Sequence, residues 1–270
     1  MEKKKIALLD TDFVFKTHIS QSVTDHLIDK VLLLPGYDFY CHSQIVTELG
    51  RHTQDAFQWL QRKIQNHAIC CYTDEMILDE LEKIYGTACC NWYANFLEKA
   101  CDAFGDDHFA NYYSSLQGLD YAKISKSEFL NEVSTADDNV GRQNSLGEIK
   151  TYVLLQTLDI LNGENIYMFC SDDQRARIGI TQFDNVRCVS VLSAFLKLKN
   201  EIGLTKDLAE PYRNSWLAFC TEHNQVTFKV LVANEKRRFC KVPCAQVLNE
   251  IYDDKFLALG DGFLKYKLST

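Results

Sequence analysis

The chain has 270 residues, of which 46% are hydrophobic and 12% aromatic, with only 3 prolines; this composition excludes a disordered or low-complexity protein. The net charge of -8 excludes a protein that coats nucleic acid with a broad basic surface, so a nucleic-acid partner would have to be bound locally. No apolar run approaches the roughly 18 to 20 residues of a membrane-spanning helix, and we expect a cytoplasmic protein without a membrane partner.

The eleven cysteines are an odd number and lack the spacing of a disulfide framework. Two doublets, Cys70-Cys71 and Cys89-Cys90, stand among single residues, so we expect reduced thiols, as in other cytoplasmic proteins. The chain contains no CxxC pair, and four zinc ligands cannot be assembled from a recognisable pattern of Cys and His. We therefore expect no zinc site.

The first unit of the chain has the pattern of a buried strand followed by a helix. The segment Lys5 to Leu9, which is apolar after its first residue, predicts a strand that runs directly into Asp10-Thr11-Asp12. A helical pattern then extends from about Ser20 to Leu33, and Pro35-Gly36 ends the unit.

A second strand and helix follow, and then a long helical segment. A short strand is predicted near Asp38 to Cys41, and Ser43 is the predicted N-cap of the helix Gln44 to Arg51, which carries Glu48. From about residue 54 to 134 the pattern is mainly helical and rich in aromatic residues. We interpret this segment as a helical elaboration of the fold.

The third unit supplies two more acidic segments. Ser145-Leu146-Gly147-Glu148 opens a helix that ends at Asn162-Gly163, and the strand Asn165 to Cys170 leads into Ser171-Asp172-Asp173. A helix, a β-rich run and a further helix are predicted over residues 174–202.

Strands separated by helical segments predict an α/β fold with a mostly parallel central sheet covered by helices. In such sheets ligands gather at the carboxyl ends of the strands, where Asp10 and Asp172 both lie. After about residue 205 the pattern changes to two β-rich runs and a helix, which predict a small α+β appendage. We therefore expect one domain over residues 1–204 and an appendage over residues 205–270.

Each acidic residue also has a purely structural explanation. Asp10 and Asp12 are costly to bury without a partner, but a loop aspartate can form an Asx turn or cap the next helix. Glu48 lies near the buried stripe of its helix, although most helix glutamates are exposed. Ser145-x-x-Glu148 is a capping-box pattern, in which the glutamate binds the N-cap amide. Helix starts also attract phosphate, so a cap and a site are compatible.

The order of these motifs resembles the PIN-domain family over roughly residues 4 to 200. The matching motifs are Asp10-Thr11-Asp12 after the first strand, Glu48 in the next helix, Leu146-Gly147-Glu148, and Ser171-Asp172-Asp173-x-x-Ala176-Arg177. The chain departs from the family pattern in having Asp12 where Asn or Ser is more usual, in its longer helical segment, and in the tail after residue 205.

The resemblance implies a PIN-like α/β/α sandwich and a magnesium- or manganese-dependent ribonuclease, a class that includes the toxins of toxin-antitoxin pairs. By that resemblance one or two Mg²⁺ or Mn²⁺ ions are held by the catalytic acids Asp10, Glu48, Glu148 and one of Asp172 or Asp173. Hard cations prefer carboxylate oxygen, and crowded carboxylates repel one another without a cation.

Further residues are expected to support this centre. Thr11, Asp12 and Ser171 would orient the acidic ligands, and Lys150, Arg175 or Arg177 would contact the scissile phosphate. The expected substrate is single-stranded RNA, and an inhibitor protein is a second candidate partner.

Two other functions fit parts of the pattern. A haloacid-dehalogenase-type phosphatase also begins with a strand and Asp-x-Asp, with Asp10 as nucleophile and Asp12 as acid/base. It needs a positioned lysine and a further acid beyond its late Asp pair, and residues 174–180 supply no such acid. A catalytically silent PIN-like module would bind RNA or a protein, but it has no chemical reason to keep all the acidic positions filled.

Overall fold

The central sheet has five strands, all parallel. The computed structural model describes residues 4–103, 107–140, 145–163, 167–180, 185–232 and 238–267. The strands are β1 Lys5–Leu9, β2 Tyr37–His42, β3 Ile69–Tyr72, β4 Tyr167–Cys170 and β5 Val186–Val189. The α/β class and the parallel central sheet predicted from the sequence are confirmed.

The strand order β3-β2-β1-β4-β5 contains one reversal of direction. The chain first moves outward from β1 through β2 to β3, and then returns to place β4 and β5 on the other side of β1. Ligands of open α/β sheets bind outside the carboxyl ends of the strands, at the point where the order reverses. In this protein that point lies between β1 and β4.

Helices cover both faces of this sheet. Alternate residues of β1 enter two separate cores: Ala7 and Leu9 face one, and Ile6 and Leu8 face the other. The helices of the first face are α1 Thr11–Ile19, α2 Leu27–Val31, α3 Ser43–His52, α4 Gln54–Gln65 and α12 Val191–Ile202. Those of the second face are α5 Asp74–Tyr85, α6 Cys89–Asp102, α7 His108–Tyr112, α8 Ser114–Gln117, α9 Lys126–Val140, α10 Leu146–Asn162 and α11 Gln174–Ile180.

The C-terminal part begins with a long helix and continues as a second sheet. Its elements are α13 Lys206–Glu222, β6 Thr227–Leu231, β7 Phe239–Pro243, α14 Cys244–Tyr252, β8 Phe256–Ala258 and β9 Leu264–Tyr266. The strand order is β7-β6-β9-β8. Buried residues of α13 and α14, such as Trp216 and Ile251, belong to the same core cluster as Leu198 of α12. The predicted appendage therefore shares a core with the first face of the central sheet.

The beginning of the chain differs from the helix predicted over about Ser20 to Leu33. Helix α1 begins at Thr11, directly after β1, because the Asp10 carboxylate accepts the hydrogen bond of the Thr11 amide and caps the helix. An isolated bridge joins Gln21 to His26, and the short α2 is the helix that lies in the predicted window.

Two other predictions of local structure are corrected. His42 rather than Ser43 caps α3, since its Nδ1 accepts a hydrogen bond from the Gln44 amide at 3.1 Å. The segment predicted as a helical elaboration contains β3, which forms an edge of the central sheet. A four-residue apolar run between helices is too short for its periodicity to identify it as a strand.

None of the helices within the described ranges is long and apolar enough to cross a membrane. Asn165, the predicted start of the fourth strand, lies outside those ranges, and the described strand starts at Tyr167.

Candidate functional site

Asp10 lies at the reversal point of the sheet, immediately after β1, and is 1% exposed. Its Oδ1 accepts the Thr11 amide hydrogen bond at 2.8 Å, and its Oδ2 accepts one from Ser171 Oγ at 2.8 Å. The Asp10 amide donates to the carbonyl oxygen of Cys170, which joins the ends of β1 and β4. Burial, and next the charge of Glu148, raises the pKa of Asp10 well above its ordinary value, although the hydrogen bond from Ser171 acts in the opposite direction.

Glu48 reaches the same edge of the sheet from α3. Its Oε2 accepts a hydrogen bond from Thr11 Oγ1 at 2.5 Å, and its Oε1 accepts a longer one from Gln44 at 3.4 Å. The Glu48 carboxylate also packs against Gly147, in the first turn of α10, so closely that a β-carbon at residue 147 would overlap it. The glycine therefore allows α10 to bring the next residue, Glu148, towards Glu48.

Glu148 is the acidic residue in the first turn of α10, and the capping box predicted for it is not formed. Ser145 has a φ of 60° and, as far as the described residues show, makes no side-chain hydrogen bond to the start of the helix. Burial, followed by the charges of Glu48, Asp173 and Asp12, raises the pKa of Glu148 to about 7. A hydrogen bond from the Glu148 backbone amide acts in the opposite direction. The carboxylate therefore lies among other acids and accepts an amide hydrogen bond in the first turn of α10, without forming the capping box with Ser145.

Lys16 joins two of the acidic residues. Its Nζ lies 2.7 Å from Asp12 Oδ2 and 2.9 Å from Asp172 Oδ2. Burial lowers the pKa of Lys16, but the two carboxylates outweigh burial and hold this pKa above its ordinary value. Sequence analysis missed Lys16. The spacing of four residues from Asp12 would have indicated the pair if α1 had been predicted to start at Thr11.

Ser171 and Asp173 fix the turn between β4 and α11. Asp173 Oδ1 accepts hydrogen bonds from the amides of Arg175 at 2.6 Å and Ala176 at 3.0 Å, so Asp173 caps α11. Ser171 Oγ accepts the Asp173 amide hydrogen bond at 3.2 Å while it donates to Asp10. The hydroxyl therefore connects the two acidic segments that flank the reversal point.

The two predicted arginines lie in different environments. Arg175 is exposed. Arg177 is buried, and its guanidinium lies 4.8 Å from the centre of the Phe263 ring. Arg177 Nε donates to the carbonyl oxygen of Asp173 at 3.4 Å, and its Nη1 donates to that of Asp261 at 3.3 Å. Arg177 therefore connects the turn after β4 to the C-terminal sheet.

The carboxyl ends of β1 and β4 form the acidic edge of the sheet, which consists of Asp10, Asp12, Glu48, Glu148, Asp172 and Asp173. Lys150 is not brought to this edge, which corrects the prediction that it contacts the scissile phosphate. It lies two residues after Glu148 on α10 and so points to another side of the helix. Its side chain is 1% exposed, with Nζ 2.7 Å from Asp137 Oδ2 and 3.0 Å from Asp74 Oδ2. An ammonium group enclosed in this way has no access to a substrate phosphate.

Lys150 belongs to a buried polar network that sequence analysis missed. The Tyr93 hydroxyl donates to Asp74, and the Tyr113 hydroxyl donates to Asp137 at 2.6 Å. Burial acts to raise the pKa of Asp74. The charge of Lys150, together with the hydrogen bonds that the Asp74 carboxylate accepts, outweighs burial and holds this pKa well below its ordinary value. The lysine is 76 residues from Asp74 and 57 from Tyr93 along the chain, so no local motif reveals the network.

The donor chemistry at the acidic edge fits a hard divalent cation, because Mg²⁺ and similar ions prefer carboxylate oxygen. Yet within the part of the chain that the structure describes, no group of three or more Asp, Glu, His or Cys side chains is arranged so that it could hold a metal ion. Several carboxylate oxygens are instead engaged by Thr11, Ser171 and Lys16. Binding of a cation by these acids therefore requires some of these side chains to turn.

Comparison of the chain with models of protein families, with curated proteins and with solved structures finds no match.

Proposed function

We propose that this protein is a metal-dependent ribonuclease of the PIN type. One observation carries the proposal: acids from distant segments meet at the reversal point of the sheet, where burial and their mutual repulsion raise the pKa values of Asp10 and Glu148. Keeping buried carboxylates together is unfavourable unless protons or a cation neutralise their charge, and one divalent cation neutralises two carboxylates at once. The choice of RNA as substrate rests on the resemblance of the ordered motifs to the PIN family.

The residues that would hold Mg²⁺ or Mn²⁺ are Asp10, Glu48, Glu148 and Asp173. When bound, such an ion supplies positive charge that stabilises a scissile phosphate and activates water for hydrolysis. Thr11 holds the Glu48 carboxylate and Ser171 holds that of Asp10, so these two hydroxyls orient the acids.

Asp173 is favoured over Asp172 as the direct ligand. Both oxygens of Asp172 are occupied, one by Lys16 and one by the Val191 amide. In Asp173 the two amide hydrogen bonds of the α11 cap fall on Oδ1. The charge of Asp173, unlike that of Asp172, is also among the main causes that raise the pKa of Glu148.

Lys16 favours a second candidate function, the catalytically silent module. Its ammonium group already neutralises Asp12 and Asp172, and the described residues contain no ready group of metal ligands. A lysine beside Asp12 is also what the phosphatase alternative requires, although that enzyme would use Asp10 as a nucleophile, and Asp10 is almost completely buried.

One set of assays separates these functions. The full chain, Asp10→Asn and Glu148→Gln are incubated with a short unstructured RNA, the matching DNA or a generic phosphomonoester, in Mg²⁺, Mn²⁺ or EDTA. The proposal expects RNA cleavage that requires the cation and is lost in both variants. Phosphomonoester hydrolysis that depends on Asp10 would identify the phosphatase. No hydrolysis, together with no calorimetric binding of either cation, would leave the silent module.

A further inference from the structure

The C-terminal sheet has one covered face and one open face. Residues such as Val230, Val242 and Phe256 are buried with α14. Successive residues of a strand point to opposite faces, so the residues between them form the open face. This open face is defined by Lys229, Lys241, Lys265, Phe239, Phe263 and Leu257. Leu231 lies on the same face and is buried.

The open face concentrates positive charge. Lys229 lies directly opposite Lys241 in the antiparallel pair of β6 and β7, and Lys265 lies opposite Leu231, the next residue of β6 on this face. Like charges placed directly opposite destabilise a sheet. Among the described residues, no carboxylate lies within ion-pair distance of these three ammonium groups. In a chain with a net charge of -8, such a group of unpaired lysines is compensated best by an external anion.

Aromatic rings lie on the same face as the lysines. Phe239 is 38% exposed, and its ring centre is 5.2 Å from that of Phe263. The guanidinium of Arg177, on α11, lies over the ring of Phe263. Cationic side chains that alternate with accessible aromatic rings are typical of surfaces that bind single-stranded nucleic acid, because lysines contact phosphates and rings stack on unpaired bases.

The open face continues into the acidic edge of the central sheet. A cavity of about 230 Å³ lies between the two sheets, and its lining includes Lys229, Phe263, Arg177 and Asp172. A nucleic-acid strand that lies on the open face can therefore extend past Arg177 towards the turn after β4 that carries Asp172.

From this arrangement we infer that the open face of the C-terminal sheet binds a single-stranded nucleic acid. Lys229, Lys241 and Lys265 contact consecutive phosphates, and Phe239 stacks on a base. The surface is independent of catalysis, so it binds a strand whether or not the acidic edge hydrolyses it. If the acidic edge is a nuclease, the surface also holds its substrate.

The test measures binding of the full chain to a fluorescent single-stranded oligonucleotide by anisotropy, in EDTA so that cleavage plays no part. The triple variant Lys229→Gln, Lys241→Gln, Lys265→Gln is compared with a control in which Lys4, Lys83 and Lys123 are replaced by Gln. All three control lysines are well exposed and lie outside the C-terminal sheet, and the two variants have the same net charge.

The open-face variant is expected to lose roughly tenfold or more in affinity, and its log-log salt dependence should become shallower by about 2, while the control stays close to the parent. Phe239→Ala should weaken binding roughly fivefold or more without changing the salt dependence. Equal affinities for the two triple variants would overturn the inference, as would a parent protein that binds anionic lipid vesicles but no oligonucleotide.

Discussion

The Glu48 carboxylate lies against Gly147, in the space that a β-carbon would occupy. These two residues are 99 positions apart in the sequence, and the size of one limits the position of the other. Helix α10 can approach α3 this closely only with a glycine at this point. The contact gives the Leu146-Gly147-Glu148 motif a physical role: the glycine provides the room, and the glutamate that follows it joins Glu48 at the acidic edge.

If the protein is the proposed ribonuclease, Gly147→Ala is expected to reduce RNA cleavage with little loss of stability. The added methyl group must displace the flexible end of Glu48, a proposed metal ligand, and misplacing a catalytic group typically costs on the order of 100-fold in rate. Alanine is also a better helix former than glycine by up to about 1 kcal/mol, so the melting temperature should change little. Gly118→Ala is the control, because a β-carbon there would have no neighbour within 4 Å. A Gly147→Ala enzyme with the parent rate would show that the position of Glu48 does not matter.

Glu148→Gln is expected to stabilise the metal-free protein in a pH-dependent way. The pKa of Glu148 is raised from an ordinary 4.5 to about 7 in the folded state, so the parent is penalised once this group ionises. Through Glu148 the parent therefore loses on the order of 1–3 kcal/mol of stability as the pH rises from about 4.5 to 7. The glutamine variant lacks this contribution and keeps only the smaller pH dependence that its remaining groups, such as Asp10, impose.

Urea unfolding in EDTA at pH 5 and pH 8 measures this difference. The variant should exceed the parent in free energy of unfolding at pH 8 and approach it at pH 5. A variant that is the less stable protein at pH 8 would indicate that the favourable contacts of the Glu148 carboxylate, such as the hydrogen bond from its own amide, outweigh burial and the repulsion by other acids.

Asp173→Asn and Asp172→Asn should have different effects. Asparagine is as good an N-cap as aspartate, so Asp173→Asn keeps the α11 cap while removing one proposed metal ligand. Its affinity for Mn²⁺ should fall at least about 10- to 100-fold, with the metal-free stability nearly unchanged. Asp172→Asn instead removes a partner of Lys16 and should cost about 1–3 kcal/mol of stability. Calorimetry and urea unfolding of both variants check this assignment, and the reverse pattern would make Asp172 the ligand.

Lys150→Met is expected to destabilise the protein severely, because it leaves Asp74 and Asp137 without their shared cation. Removing one partner from a buried ion pair typically costs about 3–5 kcal/mol. Lys123→Met is the control, since Lys123 is 83% exposed and its pair with Asp120 should contribute little. Urea unfolding measures both, and equal stabilities for the two variants would contradict a structural role for Lys150.

The sequence predicted the elements that local patterns define and missed those that depend on distant partners. The strand Lys5–Leu9 was predicted with its observed bounds because its apolar run is followed at once by Asp10. The end of α10 at Gly163 was also predicted, since glycine is the usual residue after a helix. The acids that follow β1 and β4 could also be expected at one edge of the sheet, because the carboxyl ends of parallel strands lie at the same edge.

The features that could not be predicted depend on contacts between residues that are far apart in the sequence. Ser145-x-x-Glu148 matches a capping box, but the carboxylate joins other acids, and no local rule anticipates that choice. Lys150 has the charge of a phosphate ligand, yet its partners come from α5 and α9, far away in the sequence. The basic open face was also hidden, because its three lysines lie on three different strands.

A chain that ends at Gly203 tests the predicted division at about residue 205, and we expect it to fold poorly. Trp216, Val247, Leu248 and Ile251 are completely buried in the core that also includes α12. Each such side chain contributes about 1.5–3 kcal/mol through burial, so losing them removes an amount comparable to the 5–15 kcal/mol that stabilises a typical domain. The shortened chain should therefore lack a cooperative thermal transition, and adding residues 204–270 as a separate chain should restore one. If the shortened chain melts cooperatively at the parent temperature, residues 1–203 are an independent domain, and the shared core is an interface between two folded units.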